Sequence, residues 1–414
     1  MSATTPEGAK NSPLYSRRRA LLGTTAALAA GVVAAASSER GRLGATERFS
    51  FHGQHQAGVT TRLQDYLAFG TFDVTATQRD DLVRLLRRWS KVSARLVEGK
   101  TLDGPSDPTY PAADTGETVD VSAAGLTVTI GFGPTLFDHR FALSHRRPAA
   151  LVELPLFPGD RLDRWRTGGD ICVQACADDP LVAFHAVRNL TRVASGTATL
   201  RSLQFGTGPT STNSKSEQTP RNLMGFKDGT SNLSADSPSQ MRDYVWVGGN
   251  TDQSWMQGGT YLVARRIRMN LEEWSSLPLQ AQQSIIGRFR HSGAPLSGRR
   301  EHDPLDFNAA VFGDPVIPVR AHVRAASSLL NNGAQILRRG YNFADGVDAR
   351  TGELDAGLMF ICFQKDPRHQ FITLQNNLAT QDALSDYTVH TGSGIFACPG
   401  GASVGGWVGQ SLFK

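Results

Sequence analysis

Residues 225–232 read Gly-Phe-Lys-Asp-Gly-Thr-Ser-Asn and set one carboxylate, Asp228, between Gly225 and Gly229. Flanking glycines permit backbone angles that turn an acidic side chain into a cavity, where it can take up and return a proton. The same residues also make an ordinary Asp-Gly turn, in which the carboxylate caps its own backbone. Ten histidines bring metal-ligand chemistry into view. His52 and His55 have a pair-like spacing, but Gly53 and Gly58 speak against the helix that would align them, and packing near a chain end fits better. His185 lies in an amphipathic run and reads as structural. His291 and His302 fall in an irregular insertion over 288–316, rich in Gly, Pro, Asp and His, where a ligand or cofactor contact is expected. His322, in Ile317–Ala325, is on its residues alone more often structural than a ligand. Zinc spacings, a nucleophilic serine elbow and a phosphate loop are all missing from the sequence. Cys172, Cys176, Cys362 and Cys398 are too few for a disulfide scaffold and read as buried thiols.

These groups need a frame. Leu67–Val74 has strand composition, and Thr77 with Asp80 reads as a capping box before a helix carrying Leu82, Leu85, Leu86, Trp89 and Leu96. Strands are expected at Leu126–Phe132 and Asp170–Cys176, then a helix opened by Asp179-Pro180, then a strand at Leu200–Phe205. This order, β-α-β-β-α-β, is that of a ferredoxin-like unit. The second half repeats it. Tyr261–Ile267 reads as a strand, Asn270 with Glu273 as a capping box, Leu358–Phe363 as a strand, Asp366-Pro367 as the start of a helix and Ile395–Ala397 as a closing strand. The fold class expected is α+β, two ferredoxin-like domains with antiparallel sheets, over 45–215 and 216–414. Gly206–Gln218 reads as the link between them.

Composition sets limits. With 414 residues, 40% hydrophobic and 20% charged, the chain can bury a sizeable core. Its net charge is +5, but Lys10, Arg17, Arg18 and Arg19 against Glu7 supply three of those charges, so no clustered basic face points to nucleic acid. Residues 1–36 read as an export signal: Arg17-Arg18-Arg19 before Leu21 and Leu22, an alanine-rich stretch, and Ala34-Ala35-Ala36 as a cleavage site. Paired arginines point to the twin-arginine export machinery, hence a secreted or extracytoplasmic protein with no stable membrane anchor after processing.

Gly225-x-x-Asp228-Gly229 resembles the signature of the dye-decolourising peroxidases, haem enzymes of two ferredoxin-like domains. Ala321–Ala325 is similar to that family's proximal-histidine segment and Ile336–Asn342 to its distal-arginine segment. Gly293–Leu296 and Glu301-His302-Asp303 resemble its haem-side loop, and the exported form resembles the subgroup that includes deferrochelatase-like proteins. The resemblance implies one haem b per chain, with His322 as the iron ligand. Asp228 and Arg338 would be catalytic on the opposite face. His302, Asn232, Leu358, Phe360 and Asp382 complete the implied cofactor-binding set, with Asp382 rather than Asp386 bonded to His322. Hydrogen peroxide and organic reductants are the implied partners, reacting through ferryl intermediates. Release of iron from haem, or haem delivery, is the alternative reading. Trp246, Trp255, Trp274, Tyr341 and Tyr387 could relay electrons, although aromatic residues are mainly packing material.

Overall fold

In the computed structural model, residues 47–104, 107–208, 219–349 and 351–414 are described. The segment read as an export signal and most of the linking segment lie outside them. The first half folds as β1 (Tyr66–Val74), α1 (Arg79–Val97), β2 (Thr127–Phe132), β3 (Ile171–Ala177), α2 (Pro180–Val193) and β4 (Ala198–Thr207). The second gives β5 (Thr260–Met269), α3 (Leu271–Ser276), α4 (Leu279–Ile286), β6 (Tyr341–Val347), β7 (Leu354–Gln364), α5 (Phe371–Gln381) and β8 (Thr388–Cys398). Both halves pair their strands antiparallel in one pattern, β2-β3-β1-β4 and β8-β5-β7-β6. Each half is a ferredoxin-like unit.

Strand alternation separates the cores. On one face of the first sheet, Phe72, Val128, Ile130 and Val173 pack under Leu82, Leu86 and Trp89 of α1 and Val187 and Leu190 of α2. Trp89 donates its indole N–H to Leu190 O at 2.8 Å. The opposite face, with Leu67, Phe69, Cys172 and Cys176, meets the inner face of the second sheet: Leu262, Tyr341, Phe343, Met359, Phe363, Phe396 and Cys398. Single residue pairs stitch the sheets at both sides, Phe132 to Ala397 and Thr207 to Asn342. Side chains reverse direction at each residue of a strand. Leu358 and Phe360 of β7 therefore stand on the outer face, where the candidate site lies, while Met359 points between the sheets. All four cysteines are free and buried.

Three local expectations shift. Asp179 caps α2 through Leu181 N and Val182 N, as read. Neither Gln78 before α1 nor Asn270 before α3 makes a side-chain cap, however, so the two capping boxes are not formed. The helix expected at Asp366-Pro367 starts at Phe371. Buried Gln370 bonds Tyr244 O, Gln335 O and Asp366 N, which holds its backbone outside helical angles and leaves a turn in front of α5. Finally, β6 had no strand signal, because Asn342, Asp345 and Gly346 interrupt its apolar alternation. It is secured by partners elsewhere in sequence. Arg266 stacks 3.9 Å from the Phe343 ring centroid and pairs with Asp345 at 2.8 Å.

Removing the cap at Asp179 should cost about 1 kcal/mol in urea unfolding. Thr77→Ala should change stability by less than half of that. An equal loss for Thr77→Ala would contradict the observed start of α1.

Candidate active site

The loop carrying Asp228 is shaped by its two glycines. Gly225 (φ 84°) and Gly229 (φ 140°) adopt backbone angles that other L-residues rarely reach. Asn222 ties the first turn through Met224 N and Phe226 N, Phe226 is buried against Trp274, and Asp228 N donates to Pro220 O at 2.7 Å. Glu301 then clamps the loop from outside. It accepts from Lys227 Nζ and Thr219 Oγ1, and from Thr230 Oγ1 at 3.0 Å, so it grips both flanks of Asp228. Burial pushes the Glu301 carboxyl up, but its three donors outweigh that and hold it at about 2, against an ordinary 4.5.

Arg338 lies on the short strand Leu337–Arg338, paired to β7 opposite Cys362 and Phe363. Asn232 holds its backbone twice, donating to Arg338 O and accepting from Arg338 N, both at 2.8 Å. The guanidinium donates to Asp228 Oδ1 at 2.7 Å. Its neighbour Arg339 points the other way and is buried against Thr61 O, Arg62 O and Gln64. Asp228, Asn232, Arg338, Leu358 and Phe360 line a cavity of about 410 Å³ that opens beside residues 59–63.

His322 begins a single helical turn, His322–Ala325. Its Nδ1 lies 2.6 Å from Asp382 Oδ2, and Asp382 is only 4% exposed. The other Asp382 oxygen accepts from Leu384 N at 2.8 Å, so the carboxylate is fixed at both ends. Asp386 is 64% exposed, with Arg320 at 3.7 Å, and takes no part. Burial lowers the His322 pKa, but the Asp382 charge and hydrogen bond outweigh it, and the pKa is raised. Asp228 and Arg338 also act on His322, the first raising its pKa and the second lowering it. His322 Nε2 is the ring nitrogen left for a ligand.

The structure thus gathers Asp228, Arg338, Asn232, Leu358 and Phe360 around one cavity, with His322 on Asp382 close enough for their charges to reach it. His302 stands apart. It is 75% exposed, and its nearest carboxylate is Glu301 at 4.0 Å. In Glu301-His302-Asp303 it is Glu301 that turns inward.

Family models for the N-terminal and C-terminal regions of Dyp-type peroxidases match residues 56–207 and 219–403. The chain belongs to the Dyp-type peroxidase family. A deferrochelatase of Yersinia pseudotuberculosis is 37% identical over 371 residues, 88% of this chain and 84% of that protein. A deferrochelatase of Escherichia coli K12 is 34% identical, over 89% and 88%. Among solved structures, DtpA from Streptomyces lividans in an oxyferrous complex is 40% identical with a TM-score of 0.83, over 89% of this chain and 98% of that chain. A DyP-type peroxidase from Streptomyces coelicolor is 40% identical with a TM-score of 0.84, over 90% and 98%.

Within this Dyp-type framework the sequence motif points to Asp228 but not to the clamp on its loop. Glu301→Gln should loosen residues 219–230. A folded pKa depressed to about 2 from an ordinary 4.5 contributes stability that is complete above 4.5 and lost as pH falls towards 2. That shift corresponds to on the order of 3 kcal/mol at neutral pH. Hydrogen exchange of the 219–230 amides should accelerate in the wild type only below about pH 4.5, and in Glu301→Gln already at pH 7. Equal protection of both proteins at pH 7 would exclude the clamp.

Proposed function

We propose that the chain binds one haem b, with His322 Nε2 on the iron, and uses hydrogen peroxide to oxidise organic donors. The observation that carries this reading is the Asp228–Arg338 pair, 2.7 Å apart, within electrostatic reach of a histidine whose other nitrogen is fixed by a buried carboxylate. The donor set fits the cofactor. Among the described residues no group of three His, Cys, Asp or Glu side chains could hold a metal ion. A single histidine backed by a buried carboxylate suits a metal that brings its own macrocycle. Bound there, haem supplies the electrons that reduce peroxide and stores the resulting oxidising equivalents.

The protein's own groups then have distinct tasks. Asp382 accepts the Nδ1 proton of His322 and makes the imidazole a stronger electron donor. Asp228 would take a proton from one peroxide oxygen and return it to the other, which departs as water. Arg338 holds the Asp228 carboxylate in place and stabilises negative charge as the O–O bond breaks. Leu358 and Phe360 line the cavity and would narrow what remains of it once haem is bound. Bulky donors would then be oxidised elsewhere, each giving one electron, two per peroxide.

The second reading is a deferrochelatase, which releases iron from haem and leaves the porphyrin whole. The names of the curated relatives support it more directly than they support dye oxidation. Here Asp228 would carry protons into the cavity, since two must replace the iron. Both readings share His322. The leader and its three arginines support export by the twin-arginine route, and among the described residues no helix is long and apolar enough to cross a membrane. The two runs of four strands support domains at 45–215 and 216–414, the second holding haem.

Asp228→Ala should slow the reaction with peroxide by about 10²–10⁴-fold in stopped-flow mixing while the resting haem spectrum stays intact. A wild-type rate would remove Asp228 from the chemistry. Metal-free porphyrin fluorescence accumulating from haem, with a chelator capturing the iron and no consumption of two donors per peroxide, would replace the peroxidase reading by the deferrochelatase one.

Separately, Asp382→Asn should lower peroxide reactivity or iron affinity by roughly 10–100-fold and shift the ferric/ferrous potential upward. Asp386→Asn should do neither. A potential that follows Asp386 instead would reassign the support of His322.

A further inference from the structure

Behind the candidate site, on the other face of β7, lies a second cavity of about 250 Å³. Its lining brings together apolar side chains of both sheets, Phe69, Ala264, Met359 and Phe396, and the Arg266–Asp345 ion pair. Its mouth is polar. Trp165 stands there 60% exposed, with the Arg164 guanidinium 4.5 Å from its ring centroid. Arg166 and Arg201 flank it. Arg201 is tied to Asp73 at 2.8 Å. Arg166 is held loosely, its nearest carboxylates, Asp163 and Asp355, standing at 4.0 and 3.7 Å. Arg166 can therefore turn its N–H groups toward an incoming anion.

We infer that this cavity binds the organic donor, and that the donor is a one-ring phenol carrying an acidic group. The inference rests on the peroxidase reading above. Size sets the first limit. A cavity of about 150 Å³ encloses benzene, so 250 Å³ has room for one substituted ring. The wall sets the second, because Phe69, Met359 and Phe396 suit the faces and edges of an aromatic ring. The mouth sets the third: Arg166 pairs with a carboxylate and Trp165 covers the ring.

Position gives the cavity its purpose. Met359 lines it, while Leu358 and Phe360, its neighbours in the same strand, line the haem-side cavity. A donor here would lie one sheet layer from the cavity of Asp228 and Arg338, out of reach of peroxide bound there. It gives up one electron through β7 and releases its phenolic proton to water at the mouth, becoming a phenoxyl radical. Two such donors and two protons taken up at the haem side convert one peroxide to two waters.

Equilibrium dialysis of 4-hydroxy-3-methoxybenzoate against the haem-loaded protein, without peroxide, tests the assignment. One saturable site per chain is expected. Trp165→Ala should raise Kd at least fivefold, and Ser202→Trp, which fills the cavity, should abolish binding. If Ser202→Trp fails to fold, the exposed Trp165→Ala decides alone. Absence of saturable binding, or binding with wild-type affinity in Trp165→Ala, overturns the inference; in the second case the phenol sits at the haem-side cavity. Because binding is read without peroxide, a protein that binds the phenol as expected but never turns over would count against the peroxidase reading and leave the cavity's ligand class in place.

Discussion

The contact on which the site depends is the 2.7 Å pairing of Asp228 with Arg338. It joins a glycine-hinged loop to a short strand more than a hundred residues further on, and each partner is held from behind. Glu301 grips the loop at Lys227, Thr219 and Thr230, and Asn232 fixes the Arg338 backbone through both amide atoms. A charged pair in a partly enclosed cavity keeps one geometry only when its backbone supports are fixed too. The second sheet provides that anchor, since Arg338 is registered against Cys362 on the strand that also presents Leu358 and Phe360.

The ferredoxin-like units were legible wherever local chemistry agreed with tertiary packing. Val128 to Phe132 and Ile171 to Ala177 are buried on both faces and read as strands; Asp179-Pro180 is both a cap and a helix start. Local signals failed where a distant partner decides. Gln370 is drawn out of helical geometry by three side-chain bonds, two of them to distant segments, and β6 is held by its pairing with β7 and by Arg266. At the site, Asp228, Arg338, His322 and Asp382 stood out through resemblance rather than periodicity. Nothing in the spacing of Lys227 and Glu301 reveals their ion pair, and Trp165 in a polar loop gives no sign of the cavity behind it.

Period-two alternation in β7 organises the chemistry. Leu358 and Phe360 line the cavity of Asp228 and Arg338, whereas Met359 faces the space between the sheets. One strand thereby separates the cavity of Asp228 and Arg338 from the cavity beside Trp165. Under the proposed peroxidase chemistry, that separation would keep a bulky reductant away from the iron, so that its electron would cross protein. Duplication of the ferredoxin-like unit supplies the second sheet that closes the cavity beside Trp165.

The most direct test of the central claim, that His322 alone ligates the iron from the protein opposite Asp228 and Arg338, is electron paramagnetic resonance of the ferric haem-loaded protein labelled with ¹⁵N-histidine. The account predicts a predominantly high-spin spectrum, with hyperfine coupling to one histidine nitrogen that is lost in His322→Ala. A low-spin spectrum with two coupled histidines, or a coupling that survives in His322→Ala, would contradict it.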